Sequence, residues 1–404
     1  MLTVSDVDLQ RCIDSKWPRE SSVVLRYRNA FTFGETEEED SRFKALLAQT
    51  SIKEGARIFP LLTYKGVEIH LLDETSLMQT KTLKSIDGCV SIAKCKLKGY
   101  DKLIFESGGN TGTALTEYGV RAGLETFFFL PEENISLLNG RTFSTRNAHL
   151  ISVKRPGMVK PAAESFTKFY GWKHIPETPW RYEASRFRGM LILEHILERG
   201  SYDWIVQTIS AAFGPIGIYW ALSRFGAHLP GLPRFLGIQQ EANCPMYRAW
   251  KSESKTINPI ALDSTAHLLT KVMYDFKPHT YGTFQDFVKV LEATGGDLAT
   301  LNQDEFYRFV ERKFDGETIL DALKKHGLEI ELRVEEKTGL MALAGAFKEI
   351  DSGTIAKGTK ILCCLTSGVT ENAGAPKPEF RVEQLEGMVE AYEAQFSRRN
   401  GHGR

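Results

Sequence analysis

The chain has 404 residues, room for two domains or one large α/β unit, and its 51 Lys+Arg cancel its 51 Asp+Glu. That balance leaves no basic excess to follow a nucleic-acid backbone or a membrane surface, so neither partner is expected. The longest apolar runs are strand-sized, the six cysteines show no zinc spacing and the nine histidines form no H-x-x-x-H pair, so no membrane span and no metal are expected. MLTVSDVDLQ at the start has no charged-then-apolar leader, which points to a cytoplasmic protein with reduced thiols.

In chain order, the regular signals begin near residue 84. Ile86, Cys89, Val90, Ala93 and Leu97 recur at helical spacing, and Gly99 suits a left-handed helix stop. KLIF (102–105) is a short apolar run of strand length. A polar loop follows, and Leu115, Tyr118, Gly119 and Ala122 return to helical spacing. TFFFLP (126–131) is a second buried strand, which makes a β-loop-α-β unit with parallel strands. The rhythm continues through AHLISV (148–153), a helix near 159–170, DWIVQTI (203–209), a helix from about 216, and RFLGIQ (234–239). Residues 275–330 read as charged helices covering a face, KILCCLT (360–366) as a late strand, and 382–399 as a C-terminal helix with a frayed NGHGR end. The fold class is therefore α/β, doubly wound with mostly parallel sheets, and its ligands belong at the carboxyl ends of the strands.

Two loops stand there. In ESGGNTG (106–112), Gly108 and Gly109 open backbone conformations closed to other residues, and Asn110 and Thr111 start a helix whose free N–H groups attract anions. In ISAAFGPIG (209–217), small residues lead into a helix with Pro215 near its first turn, a setting suited to a phosphate. Alone, each loop is equally a turn and a cap. Upstream, QTKTLKSIDG (79–88) puts Lys81 and Lys84 just before a helix. The positive end of a helix dipole disfavours an ammonium, and a neutral lysine can form a Schiff base. A solvated surface lysine is the commoner role, so the weight lies in the combination.

That combination resembles the pyridoxal-phosphate enzymes of the tryptophan synthase β-subunit fold (fold type II), most closely the threonine synthase branch, from about residue 58 to 370. IFPLL (58–62) resembles the family's T-P-L entry, and TLK ending at Lys84 its S-F-K motif. Asn110 lies 26 positions after Lys84, in register with the family's lysine and S-x-G-N-T loop. AAFGPI (211–216) resembles the G-N-F-G-N-I phosphate loop, GIQQEANCPMYRAW (237–250) the G-x-Q-x-E-x-x-x-P-x-x-x-A stretch, and LTSG (365–368) the strand end beside the pyridine nitrogen.

The resemblance implies pyridoxal 5'-phosphate as cofactor and Lys84 as its Schiff-base lysine. It implies that Asn110 meets the phenolic oxygen, and that Ser210, Ala211, Ala212, Phe213, Gly214 and Ile216 hold the phosphate. Ser367 would meet the ring nitrogen, and Ser107, Gly108, Gly109 and Thr111 the substrate carboxylate. It implies a large cofactor domain of residues 1–88 and 195–404, a helical insert at about 275–330, and a small mobile domain of 89–194. It also implies a homodimer acting on a small amino acid. The reaction expected is elimination or replacement at the β- or γ-carbon. The alternatives are a serine/threonine dehydratase, a cysteate-synthase-like replacement enzyme, or a non-catalytic protein that keeps the fold to bind or regulate. Three departures stand out. Ala211, Ala212 and Pro215 replace the richer phosphate loop; Gly108 lacks the hydroxyl of many relatives; Ser85 and Ile86 follow the lysine where threonine synthases carry Asp-Arg. The lost arginine predicts a substrate that does not depend on a phosphate leaving group, with Arg186 and Arg188 the nearest replacement cations.

Overall fold

A computed structural model describes residues 9–175, 178–226, 229–258, 268–273, 282–369 and 374–401. Two sheets organise them. The first contains β1 (Arg57–Tyr64), β2 (Val67–Asp73), β7 (Trp204–Thr208), β8 (Arg234–Gln240), β9 (Asp297–Leu301) and β10 (Lys360–Leu365). Its order is β1-β2-β10-β7-β8-β9, and every pair except the β1–β2 hairpin is parallel. The second sheet contains β3 (Lys102–Glu106), β4 (Glu125–Pro131), β5 (Ala148–Val153), β6 (Lys173–Ile175) and β11 (Phe380–Val382), all parallel, in the order β11-β5-β4-β3-β6. Strands such as WIVQT are buried along their whole length, as parallel strands sandwiched between helices must be.

The helices that matter for the site are α1 (Lys84–Leu97), α2 (Asn110–Arg121), α3 (Val159–Tyr170), α4 (Thr178–Arg199), α5 (Phe213–Phe225), α6 (Phe284–Thr294), α7 (Val334–Asp351) and α8 (Met388–Gly401). The largest core cluster joins α1, α4 and α5 through Ile86, Val90, Phe187, Leu191, Ile218 and Leu222. Burying one such side chain contributes about 1.5–3 kcal/mol, so this cluster fixes α1 and α5, two of the three helices whose first turns face the site.

Three elements depart from the sequence reading. The helix expected from 216 begins at Phe213, so Pro215 is its third residue, where its missing N–H is not needed by the helix ladder. The stretch 275–330 is not purely helical: Gly295, in the left-handed conformation, ends α6, and Asp297–Leu301 extends the first sheet alongside β8. Residues 275–281 of that stretch lie outside the described residues. The C-terminal helix begins at Met388 rather than 382, because Phe380–Val382 pairs with Ile151–Val153 in the second sheet. It runs to Gly401, and 402–404 lie outside the described residues.

Candidate active site

The loops after β3, β7 and β10 open into one cleft of about 190 Å³. Its walls bring together Lys84, Ser107, Gly108, Gly109, Asn110 and Thr111 from one side, Ser210, Ala211, Ala212, Phe213 and Gly214 from a second, and Ser367 from a third. Residues separated by more than 250 positions meet because residues 81–83 pair with 366–368. Leu83 N–H donates to Thr366 O at 3.1 Å and Gly368 N–H to Lys81 O at 2.8 Å. These bonds set Lys84 directly beside the end of β10.

Lys84 is the first residue of α1, and its backbone N–H donates to Thr82 Oγ1 at 3.1 Å. Its Nζ pairs with Asp87 Oδ2 at 2.7 Å, one turn along the same helix. Its ammonium is held below the ordinary lysine value, first by burial; Asp87 opposes the shift, and Arg181 and Arg188 add to it. Burial rather than the helix end leads. Lys81 is not in the cleft: it takes a left-handed backbone (φ 56°) and its Nζ donates to Ser76 O at 3.0 Å. Ser85 and Ile86, which stand where relatives carry Asp-Arg, have structural work here. Ser85 Oγ accepts the Thr80 N–H at 3.0 Å, and Ile86 is a core residue only 1% exposed.

In the first loop Ser107 Oγ accepts the N–H groups of Gly109 (3.1 Å) and Gly112 (2.9 Å), so it caps α2 and keeps its own O–H free to donate. Gly109 has φ 153° and ψ −78°, a conformation side-chain-bearing residues rarely take, which lets the loop fold back over the cleft. Val272, from the short described stretch 268–273, covers it: its carbonyl oxygen lies 3.4 Å from where a Cβ on Gly108 would stand. Asn110 Nδ2 donates to Ser367 Oγ at 3.1 Å. Two groups that the resemblance assigns to one cofactor therefore lie within hydrogen-bond distance of each other.

The second loop ends in Ala212, left-handed at φ 57°, and α5 starts at Phe213 with no side chain capping it. Pro215 has no N–H and the Ile216 N–H donates to Ala212 O at 3.4 Å, so what this helix start offers an anion is chiefly the positive end of its dipole. Arg181 adds charge there. It lines the cleft, is only 8% exposed, and sits over the Phe213 ring at 4.8 Å; among the described residues it has no carboxylate partner. Behind the loop, Arg188 is 1% exposed and donates to Glu74 Oε2 at 2.6 Å and Gln207 Oε1 at 2.8 Å, and its Nε also donates to Glu74. Its Nη1 has no partner and lies 2.8 Å from where a Cβ on Gly214 would stand, so only glycine lets the loop rest on the guanidinium.

Some residues expected at the site are elsewhere. Ile216 does not line the cleft; it lines a separate cavity together with Arg186. Arg188 supports the loop from behind rather than facing a substrate. Arg181 was missed, although it lies seven residues before Arg188 on α4 and so shares its face, a spacing visible in the sequence. Gln207 and Thr338, which also line the cleft, carried no sequence signal. Among the described residues no acid, histidine and cysteine cluster could hold a metal, and no helix is long and apolar enough to cross a membrane.

A two-sheet α/β fold with a lysine opening one helix, a Gly-Asn-Thr loop opening a second and an uncapped small-residue loop opening a third is the fold of the type II pyridoxal-phosphate-dependent enzymes. No family profile matches the chain. It is 23% identical over 311 residues to threonine synthase of Methanosarcina acetivorans, covering 74% of this chain and 70% of that one. It is 22% identical over 344 residues to cysteate synthase of Methanosarcina barkeri, covering 81% of this chain and 77% of that one. Among solved structures, a pyridoxal 5'-phosphate-dependent aspartate racemase superposes with a TM-score of 0.60 at 16% identity, covering 85% of this chain and 99% of that one.

Proposed function

We propose that the protein is a pyridoxal-phosphate-dependent enzyme that eliminates or replaces a substituent at the β- or γ-carbon of a small amino acid, and that it works as a homodimer. The carrying observation is the convergence on one cleft of a part-buried amine with lowered basicity, an uncapped helix N-terminus with a nearby arginine that has no carboxylate partner among the described residues, and an amide–hydroxyl pair. The donor set fits the cofactor. Lys84 would carry it, the Ser210–Gly214 loop with Arg181 would hold its phosphate, Asn110 would meet its phenolic oxygen and Ser367 its ring nitrogen.

Bound there, the cofactor supplies a ring that takes up the electron pair left when a bond at Cα breaks. The chain's own residues do the rest. Nζ of Lys84, in its neutral form, accepts the α-proton and returns it; burial and Arg181 favour that form, and Asp87 keeps the group oriented. The N–H groups of Gly108, Asn110 and Thr111 and the Ser107 O–H bind the substrate carboxylate. Val272 lies against that loop and Met273 lines the cleft beside it, so both limit the access of water. With Ile86 in the core, the cleft lacks the cation that would follow the lysine in threonine synthases, which supports a leaving group other than phosphate.

The test uses purified protein. A visible absorbance band that moves on adding an amino acid supports the reading, and borohydride reduction should fix the cofactor on the peptide containing Lys84. Label on Lys81, or no band in protein saturated with pyridoxal phosphate, overturns it.

A further inference from the structure

A second cavity, of about 600 Å³, lies between α4, α5 and α6. Tyr182, Tyr219 and Trp220 form an aromatic wall, and Lys289 and Asp286 stand at the side formed by α6. Arg224 also lines the cavity, and the cation with buried donors inside it is Arg186. Its guanidinium carbon is 3.7 Å from the centre of the Trp220 ring, and its Nε and Nη1 are buried without a hydrogen-bond partner. No carboxylate pairs with it among the described residues: the acid in the same cavity, Asp286, is taken by Lys289 at 2.9 Å. Burial lowers Arg186 to about 10, which still leaves it charged at neutral pH.

A guanidinium withdrawn from water with two idle donors is costly, and a bound anion is what offsets such a cost. The ring wall selects the rest of the ligand, because aromatic faces stack well on aromatic partners. We propose that this cavity binds a small aromatic carboxylic acid, its ring against Trp220 and Tyr182 and its carboxylate on Arg186. The site is separate from the cleft but mechanically joined to it. The Phe213 ring, first residue of α5, touches both the Arg181 guanidinium on the cleft side (4.8 Å) and the Tyr182 ring on this one (5.8 Å between centres). An occupant therefore presses on the first turn of α5.

The probes are phenylacetate and indole-3-acetate, each compared with its neutral amide, titrated into the full chain by calorimetry and by tryptophan fluorescence. Both acids should saturate the protein. The amides should bind about tenfold more weakly, since they forfeit a charge-assisted hydrogen bond. Arg186→Leu should erase the difference between acid and amide, with folding checked by circular dichroism, and Lys84→Ala should still be saturated by both acids. The acid–amide comparison on the unaltered chain needs no variant. Equal binding of acid and amide, no saturation by either acid up to about 10 mM, or loss of acid binding in Lys84→Ala would each overturn the proposal.

Discussion

Replacing Arg188 with methionine tests whether the second loop rests on a buried charge pair. Arg188 and Glu74 are 1% and 0% exposed, so neither has water to fall back on. Arg188→Met removes the donors to both Glu74 oxygens and to Gln207. Breaking a buried pair on one side costs about 3–5 kcal/mol, because the remaining charge is stranded. The expected loss is therefore about 4 kcal/mol. Glu74→Met/Arg188→Met should regain about 3 kcal/mol of it, since well-packed apolar replacements of a buried pair are close to neutral. The pH dependence has a definite sign. Burial already raises the Glu74 pKa against the lowering effect of Arg188, and without the arginine it rises further. An acid with a raised folded pKa favours the fold below its unfolded value and loses that contribution as pH rises through the folded pKa. The Arg188→Met defect should accordingly be small near pH 4 and grow toward neutrality. Urea unfolding of cofactor-free protein at several pH values reads all of this. A single-variant loss under about 1 kcal/mol, or a double variant as unstable as the sum of the two singles, would refute the buried-pair account.

Arg181→Met should lower the preference for pyridoxal phosphate over pyridoxal by at least about tenfold, because only the phosphate uses the lost cation; an unchanged ratio from equilibrium binding would place Arg181 away from the phosphate. Ser367→Asp puts a negative charge where a hydroxyl now meets Asn110, and is expected to raise the proton affinity of the ring nitrogen, shift the cofactor spectrum and slow elimination. An unchanged spectrum and turnover would show that the residue does not reach the ring. His195 is 8% exposed with its pKa lowered to about 4, chiefly by burial. The unfolded chain binds that proton near pH 6.5, so the fold should lose up to about 3 kcal/mol as pH falls from about 6.5 to 4. His195→Phe should flatten that part of the stability curve, and an identical curve would rule His195 out as its source.

Most of the strands were legible because a parallel strand buried on both faces must be a short continuous apolar run, and KLIF, TFFFLP, AHLISV, WIVQT and KILCCL are such runs. The Lys84, Ser107–Thr111, Ser210–Gly214 and Ser367 segments were legible because helix starts and ligand loops draw on few residue types, and their order along the chain matches a known pattern. Elements whose local signal is weak were misread. Asp297–Leu301 is strand because β8 offers an open edge, and Phe380–Val382 because β5 does; neither edge is visible in one dimension. The electrostatics also belong to the tertiary structure. Arg181, Arg186 and Arg188 sit within eight residues on one helix, yet one faces the cleft, one a second cavity and one a buried glutamate. Sequence gives their charge and their angle around α4. What they do is decided by which loop, ring or carboxylate the packing of α1, α5 and β2 brings to each face, since the worth of a charge is set by the partner and the water it is left with.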